Sequence, residues 1–289
     1  MKHLVVKGDL LQASLILGRL PADSHVLVLS GFPCCVTQTP PTETDGPPGA
    51  VALAMVAVGM GHRATIVTDD CNKAVFAAAV TASVPIAALE CFPPEPLSDA
   101  DETRLQSLQE SSTVVLACER AGPAKDGVCH TMRGIDMNEK GLIAPLHRLV
   151  QKDKPFLAIG DGGNELGMGK VLRQVETHIP NGEKIGCVVA ADWLVAASVS
   201  NWGGYALAAG AAIVWTADRH KGSDGSPSGS VLDILPTEQG EIDLLQRCVD
   251  VGCRDGVSGK VEATVDGMPL ETSLECLRKI REVASKANS

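Results

Sequence analysis

Short apolar runs alternate along this chain with longer segments in which apolar residues recur at helical spacing. Strands that are separated by helical segments are typical of βαβ units, in which the strands run parallel. The predicted strands cover residues 26–30, 64–68, 86–90, 113–117, 156–159 and 186–190. The predicted helices cover residues 48–58, 71–82, 100–110, 142–152, 164–176, 238–251 and 270–284. The pattern therefore predicts an α/β fold with a mainly parallel, Rossmann-like sheet and helices on both faces.

The composition favours the same architecture. Of the 289 residues, 45% are hydrophobic but only 3% are aromatic, so the core must consist mainly of Ala, Val, Leu and Ile. Such side chains typically fill parallel sheets and the helices that cover them. The length suits one domain, which we expect to span residues 1–289, with a mobile loop near the Gly- and Ser-rich residues 219–230.

The charge and the cysteines narrow the range of partners. The net charge is −10 and no Lys/Arg-rich run occurs, which argues against nucleic acid and anionic membranes but not against a small-molecule substrate. No apolar run is long enough to predict a membrane-spanning helix. The ten cysteines form no C-x-x-C pair, which favours free thiols in a reducing compartment. The Ala- and Gly-rich residues 205–212 would permit tight helix packing, either within one subunit or between the subunits of a homo-oligomer.

Two acidic, glycine-rich loops follow predicted strands. Asp45 precedes a helix that opens near Gly49, where free N–H groups could bind an anion, although Asp45 could also serve only as a helix cap. The second loop, residues 160–165, carries Asp161, Asn164 and Glu165. The carboxyl ends of parallel strands are where α/β enzymes bind polar small molecules, so both loops are candidates for an active site.

The second loop is also similar to the G-D-G-x-N-[DE] motif of haloacid-dehalogenase-type phosphotransferases, in which acidic residues hold Mg²⁺. That family also requires an aspartyl nucleophile in a D-x-D-x-[TV] motif, which this chain lacks. A metal-dependent phosphohydrolase is therefore an alternative hypothesis and not the leading one.

Four further side chains could contribute to a site. Asp69 ends a predicted strand and could bind a divalent cation, and Arg120 could hold a carboxylate through two parallel hydrogen bonds. Capping of a helix or an internal ion pair would explain these two residues equally well. His130 and Arg133 share one short stretch, in which His130 could carry a proton, although a lone His is more often structural.

Longer blocks in the same regions carry a more specific signal. The block E-T-D-G-P-P-G-A from Glu43 and the block G-D-G-G-N-E-L-G-M-G from Gly160 resemble the C-terminal domain of the D-glutamate cyclase family, as do shorter blocks at Gly31, Arg133 and Thr264. The resemblance covers nearly the whole chain. It implies a lyase that interconverts D-glutamate and 5-oxo-D-proline plus water. It further implies the mitochondrial matrix, with a transit peptide and an N-terminal domain that precede this region in the animal enzyme and are missing from this sequence.

This reaction sets requirements that the acidic loops could meet. Ring closure joins the α-amine of glutamate to its γ-carboxyl carbon, so it needs a base, an acid, an electrophilic stabiliser and a clamp on the α-carboxylate. Several carboxylates would repel an anionic substrate unless one is protonated or a divalent cation, Mg²⁺ or Mn²⁺, bridges them. We therefore expect catalytic roles for Asp45, Asp161, Glu165 and His130, substrate binding by Arg133, Arg120, Gly49 and Asn164, and metal binding by Asp69 and Asp161. Glu119 is a second choice for the base or a metal ligand. A domain that binds an amino acid without catalysis is the remaining alternative.

Overall fold

Helices cover both faces of one parallel sheet in the computed structural model, which describes residues 2–84, 87–220 and 230–287. Among these residues six strands form the sheet, in the order β3-β2-β1-β4-β5-β6, and all neighbouring strands are parallel. The strands are β1 (His25–Gly31), β2 (Arg63–Asp69), β3 (Ala88–Phe92), β4 (Val114–Arg120), β5 (Phe156–Gly160) and β6 (Trp193–Ala196). The predicted α/β class with a parallel, Rossmann-like sheet is confirmed.

Alternation along the central strand explains why the helices form two layers. Val26 and Val28 of β1 point to one face of the sheet, and Leu27 and Leu29 point to the other, because successive side chains of a strand alternate. The helices of the described residues are α1 (Asp9–Gly18), α2 (Pro47–Gly59), α3 (Lys73–Ser83), α4 (Asp99–Ser111), α5 (Leu172–His178), α6 (Gly182–Ile185), α7 (Ser200–His220), α8 (Glu238–Asp250) and α9 (Leu270–Ala287). The valines pack with apolar residues of α1, α2, α3, α7, α8 and α9, and the leucines pack with α4, α5 and the segment around Leu146.

The strand order decides where a ligand can bind. The chain moves outward from β1 to β2 and β3, and then returns to β4 on the other side of β1 before it continues to β5 and β6. The loops that follow β1 and β4 therefore diverge and leave a crevice at the carboxyl ends of these strands. Both acidic loops identified in the sequence border this crevice, since they follow β1 and β5.

Close helix packing uses the small residues of α7. A Cβ atom on Gly204 would lie 2.8 Å from the Cα atom of Gly49 in α2, and one on Gly210 would lie 2.2 Å from Oγ of Ser14 in α1. The Ala- and Gly-rich stretch thus packs against helices of the same chain. None of the helices in the described ranges is both long enough and apolar enough to cross a lipid bilayer.

Two predicted helices are wrong in whole or in part. Residues 142–152 form only a short 3₁₀ turn, Leu146–Leu149, because Pro145 has no N–H group and the N–H group of Ala144 donates to Asp69 instead of to a helical carbonyl. The predicted helix 164–176 begins only at Leu172. Gly167 has a φ of 110°, which is outside the helical range and interrupts the segment.

The last predicted strand is also wrong, since β6 is Trp193–Ala196 and not residues 186–190. Ala190 makes only isolated bridges to Gly167 and Met168. The sequence pattern predicts neither α1 nor α7 as a helix. The start of the predicted strand 86–90 and most of the predicted mobile loop 219–230 lie outside the described residues.

Candidate active site

Three carboxylates from three loops converge at the carboxyl edge of the sheet. Asp45 follows β1, Glu119 lies near the end of β4, and Asp161 directly follows β5. One carboxylate oxygen from each of these side chains lies within 4.8 Å of the others. The crevice between the diverging loops therefore contains a compact acidic cluster, which we define as Asp45, Glu119 and Asp161.

Backbone N–H groups fix the position of Asp45. Its Oδ2 accepts from the N–H of Ser200 at 2.7 Å and its Oδ1 accepts from the N–H of Asn201 at 2.8 Å, both in the first turn of α7. Asn201 acts in the opposite direction, because its Oδ1 accepts from the N–H groups of Gly46 at 3.0 Å and Gly49 at 2.8 Å. The starts of α2 and α7 therefore cap each other, and the N–H of Gly49 already has a partner.

A bulge in β4 turns Glu119 towards the cluster. Cys118 pairs with Ser30 but Arg120 pairs with Gly31, so Glu119 is the extra residue of this strand. Its φ of 47° is left-handed, which is uncommon for a residue other than glycine. The Ser200 hydroxyl donates to Oε2 of Glu119 at 2.5 Å.

A fourth carboxylate, that of Asp266, extends the cluster from the segment between α8 and α9. It lines the same cleft as Asp161, and its charge raises the pKa values of both Asp161 and Asp45. Asp255 shapes the turn that carries Asp266, because its Oδ2 accepts from the N–H of Gly267 at 2.7 Å and from the hydroxyl of Thr264 at 2.8 Å. This turn brings Asp266, which is distant in sequence, to the cleft at the end of β5.

Burial and mutual repulsion favour protonation of these carboxyl groups. Burial and the neighbouring carboxylates raise the pKa values of Asp161 and Glu119 well above their usual range. Burial, followed by the charge of Asp266, raises the pKa of Asp45 to about 8 even though backbone hydrogen bonds oppose this shift. Burial raises the pKa of Asp266 to about 6. The arrangement can thus hold protons at neutral pH, or it can bind a cation.

The donor set fits a hard divalent cation. Mg²⁺ and Mn²⁺ prefer carboxylate oxygens, and the three side chains of the cluster offer them within one small volume. No ion pair joins a Lys or Arg side chain to the cluster in the part of the chain that the structure describes. A cation held by Asp45, Glu119 and Asp161 would offset the repulsion between them.

Glu165 instead organises its own loop. Its carboxylate accepts from the N–H groups of Asp161 at 2.8 Å, of Gly162, and of Gly163 at 2.6 Å. These three amides would otherwise be available to a phosphate group. The loop that is similar to a phosphotransferase motif therefore has no free amide cradle at these positions.

Asp69 and Arg120 form a separate, charge-compensated pair behind the site. Both side chains are almost completely buried and they make a direct ion pair. Arg120 also donates to the carbonyls of Ala144 at 2.9 Å and Gly31 at 3.3 Å, while Asp69 accepts from the N–H of Ala144 at 2.7 Å. Neither residue lines the cleft into which the acidic cluster opens. The predicted metal ligand and one predicted substrate clamp are thus bonded to each other.

The acidic cluster opens into a cleft of about 680 Å³. Arg133 is exposed at this cleft and has no ion pair or hydrogen bond through its side chain among the described residues. Buried Asn164 also lines it, and its Nδ2 donates to the carbonyl of His130 at 2.8 Å. The His130 ring faces away, since its Nε2 pairs with Asp126 at 2.8 Å. The lining includes the carboxylates of Glu43, Glu119, Asp161 and Asp266 and the apolar side chains of Phe32, Val36, Met132, Ile135 and Val257.

Sequence reasoning gave no role to three of the residues that build this site. Glu43 and Asp266 occur in the quoted blocks, but their separation from Asp161 in the sequence hides that they share one cleft. Asn201 starts a helix that the pattern does not predict, so its bonds to the loop after β1 could not be expected. The E-T-D and T-V-D-G blocks themselves were the available signal for the two carboxylates.

Two comparisons with known proteins indicate the same family. A family model described as D-glutamate cyclase-like, C-terminal, matches residues 1–281. The human protein named D-glutamate cyclase, mitochondrial, is 35% identical over 313 residues, which cover 98% of this chain and 49% of the human protein. The chain thus spans about half the length of this relative. On both grounds the chain belongs to the D-glutamate cyclase-like C-terminal family.

Proposed function

We propose that this chain carries the active site of a lyase that interconverts D-glutamate and 5-oxo-D-proline plus water. The proposal rests on one observation above all, which is the convergence of Asp45, Glu119 and Asp161 on a cleft with a free guanidinium group. Family membership supports the substrate, since the human relative is named a D-glutamate cyclase. The same name supports a mitochondrial location, for which we propose the matrix.

The cleft offers a complementary group for each charge of the substrate. D-Glutamate carries an α-ammonium group and two carboxylates. We assign the α-carboxylate to Arg133, whose planar guanidinium can make two parallel hydrogen bonds. The ammonium group would face the cleft carboxylates, and the two methylene groups would contact the apolar wall that includes Met132 and Ile135. Such a fold of the substrate brings the amine close to its own γ-carboxyl carbon, which is the main requirement for ring closure.

Asp161 is the residue that we assign to proton transfer at the γ-carboxyl group. It lines the cleft, whereas Asp45 lies behind it and is only 1% exposed. The two backbone N–H groups of α7 orient Asp45 as an acceptor, and burial together with the neighbouring carboxylates favours a proton on Asp161. In ring closure the amine nitrogen forms a bond to the γ-carbon and gives up two protons in all. One γ-oxygen takes up two protons, the first of them from Asp161, and the C–O bond breaks to release water.

Glu119 is the base that we assign to the ammonium group, whose positive charge favours the ionised form of this carboxyl group once the substrate has bound. It lies in the cluster, it lines the cleft, and it can pass a proton on towards Asp161 through the carboxyl network. In the reverse direction the same two residues exchange roles, as microscopic reversibility requires. If Mg²⁺ or Mn²⁺ occupies the cluster, the cation would polarise the γ-carboxyl group. Asn164 lies beside these groups and would help to orient the substrate.

Turnover of D-glutamate by the purified chain tests this proposal. We expect formation of 5-oxo-D-proline from D-glutamate but not of the L-product from L-glutamate, with Asp161→Asn as the inactive control. The assay is repeated with EDTA and with added Mg²⁺ or Mn²⁺, so that a metal requirement becomes visible as a loss and a recovery of rate. Binding of D-glutamate without turnover would overturn the lyase proposal and favour an amino-acid-binding domain. Hydrolysis of a generic phosphate ester would favour the phosphohydrolase.

A further inference from the structure

Two adjacent cysteines stand at the cleft, and the proposed reaction uses neither of them. Cys34 and Cys35 follow β1, they are both partly exposed, and they both line the cleft. Their sulfur atoms lie 3.8 Å apart. Adjacent thiols in contact within an open cleft form a pair that can react as one unit.

The surroundings make the two thiols unequal. The hydrogen bond from Cys34 is the main factor that lowers the pKa of Cys35 to about 7, and the charges of Arg254 and Arg133 act in the same direction against burial and Asp255. The pKa of Cys34 is raised well above its usual range by that hydrogen bond, by burial and by the carboxylate of Glu43. Cys35 is thus partly a thiolate at neutral pH, while Cys34 keeps its proton.

This arrangement has the features of a peroxide-sensitive thiol pair. A thiolate that is accessible to solvent attacks peroxide, and a neighbouring thiol then resolves the product. We propose that hydroperoxide oxidises Cys34 and Cys35 to a disulfide, and that this modification blocks ligand binding in the cleft. The proposal concerns a reaction separate from the lyase chemistry, so either can fail without the other.

The proposed oxidation proceeds in two steps. The Cys35 thiolate attacks one oxygen of hydrogen peroxide, the O–O bond breaks, and Cys35 becomes a sulfenic acid while hydroxide leaves. The Cys34 thiol then attacks the Cys35 sulfur, an S–S bond forms, and the sulfenic oxygen leaves as water. Both sulfurs are oxidised and one peroxide is reduced to two waters once the released hydroxide has taken up a proton from solvent, which replaces the proton that Cys35 lost on ionisation.

Oxidation would disturb the wall of the cleft that contains Cys34. Cys34 interacts with the buried carboxylate of Glu43, and a Cβ on Gly256 would lie 3.4 Å from the Cys34 sulfur, so this thiol sits in a tightly packed wall. Formation of the S–S bond pulls Cys34 out of that packing. Adjacent residues have Cα atoms only about 3.8 Å apart, which is less than most disulfides span, so the bond would be strained and easily reduced. The modification should therefore be reversible by dithiothreitol.

Cys91 offers a matched control because it is also a partly exposed free thiol. Burial and the nearby carboxylate of Asp70 raise its pKa to about 11. At neutral pH a far larger fraction of Cys35 than of Cys91 is therefore thiolate, although a thiolate of lower pKa is the weaker nucleophile. Together these two effects predict that Cys35 is oxidised roughly a hundredfold faster than Cys91.

The experiment treats the full chain with limiting hydrogen peroxide, blocks the remaining thiols with N-ethylmaleimide, and maps the peptides by mass spectrometry. We expect the peptide with Cys34 and Cys35 to lose two hydrogens and escape labelling, and dithiothreitol to restore both labels. Cys34→Ser should leave a sulfenic acid on Cys35 that dimedone traps, whereas Cys91→Ser should behave like the parent chain. D-Glutamate should slow the reaction, and the oxidised chain should no longer bind it.

Three results would overturn the proposal. The first is labelling of both thiols in that peptide after oxidation, and the second is oxidation of Cys91 at a similar rate. The third is a disulfide that forms but leaves D-glutamate binding intact, which would refute the effect on the cleft. Because peptide mapping needs no turnover, an inactive chain does not prevent the test of disulfide formation. Protection by 5-oxo-D-proline serves as the second binding measurement if D-glutamate does not bind.

Discussion

Two groups of buried carboxylates lie at the same edge of the sheet but differ in how their negative charge is balanced. Asp69 is paired with Arg120 and accepts further hydrogen bonds, so its charge is balanced where it stands. Asp45, Glu119 and Asp161 have each other as neighbours and no comparable cationic partner among the described residues. A protein keeps such repulsion only where protons or a bound cation resolve it, which favours a structural role for the first group and a chemical role for the second.

The pKa shifts reflect the same contrast. Burial raises the pKa of Asp69, but the charge of Arg120 and the hydrogen bond from Ala144 limit the rise. For Asp161, burial and the charges of Glu119 and other carboxylates all act in one direction. Substitutions of the same chemical type at the two positions should therefore have opposite consequences for stability and activity.

The largest expected effect is a loss of stability in Asp69→Asn. The substitution leaves the guanidinium of Arg120 buried without its counter-charge, which should lower the free energy of unfolding by about 3–5 kcal/mol. Urea denaturation monitored by circular dichroism measures this change. Arg278→Met removes two exposed ion pairs instead and should change the free energy of unfolding far less, because solvent screens such pairs. Equal effects of the two substitutions would contradict the structural role of the Asp69–Arg120 pair.

The next effect is a loss of activity in Asp161→Asn. The amide cannot carry the proton, so kcat/KM for D-glutamate should fall by about 10²–10⁴-fold. The free energy of unfolding at pH 7 should equal or exceed that of the parent chain, because the substitution removes a buried carboxyl group that neighbouring carboxylates repel. Asp99→Asn, at the exposed start of α4, is the control for activity. A folded Asp161→Asn variant with parental turnover would refute the assigned role.

The contrast between these groups also shows where the sequence is informative. The apolar runs predict β1, β2, β4 and β5 with small boundary errors, because a fully buried parallel strand has no polar residue in its centre. They also predict that Asp45 and Asp161 share one edge, since both follow strands of one parallel sheet. The sequence pattern therefore predicts the region of the candidate site, with Asp45 and Asp161 as first choices and Glu119 only as a second choice for base or metal ligand.

Side-chain pairing could not be predicted in the same way. Asp69 and Arg120 look like Asp45 and Glu119 in the sequence, because all four follow or end apolar strands. Their different environments depend on a bulge in β4, which sends Glu119 to the cleft and Arg120 to the interior. A one-residue change of register leaves no mark in the hydrophobic pattern of a strand that is buried on both faces.

A smaller effect concerns stability as a function of pH. In the folded chain the pKa of Asp266 is about 6 and that of Asp45 is about 8, both above the values near 4 that these groups have when unfolded. The folded state therefore retains protons that the unfolded state has lost. EDTA is present so that no divalent cation occupies the cluster. The contribution of these groups to the free energy of unfolding should then be highest below about pH 4 and should fall as pH rises towards 8. The slope should be about 1.4 kcal/mol per pH unit for each proton that only the folded state retains.

Urea denaturation at several pH values tests this dependence. Asp266→Asn should reduce the slope between about pH 4 and pH 6, and it should move the fall above pH 6 to lower pH, because the pKa of Asp45 drops without the charge of Asp266. Asp126→Asn is a suitable control because the pKa of this exposed carboxyl group is lowered, which gives the opposite sign. Stability that rises steadily from pH 4 to pH 8 in the parent chain would mean that the cluster is already ionised and compensated.

The smallest effect is expected for Arg133→Met, and it separates substrate binding from the acidic cluster. Arg133 is exposed and has no partner through its side chain in the described parts of the chain, so its loss should leave the free energy of unfolding within about 0.5 kcal/mol. Loss of the carboxylate clamp should raise KM for D-glutamate about tenfold with little change in kcat, because the α-carboxylate does not react. Steady-state kinetics measure both constants, and Arg133→Lys should recover part of the affinity but not the bidentate contact. A fall in kcat at unchanged KM would instead indicate that Arg133 acts on the carboxyl cluster, through its charge, and not on the substrate.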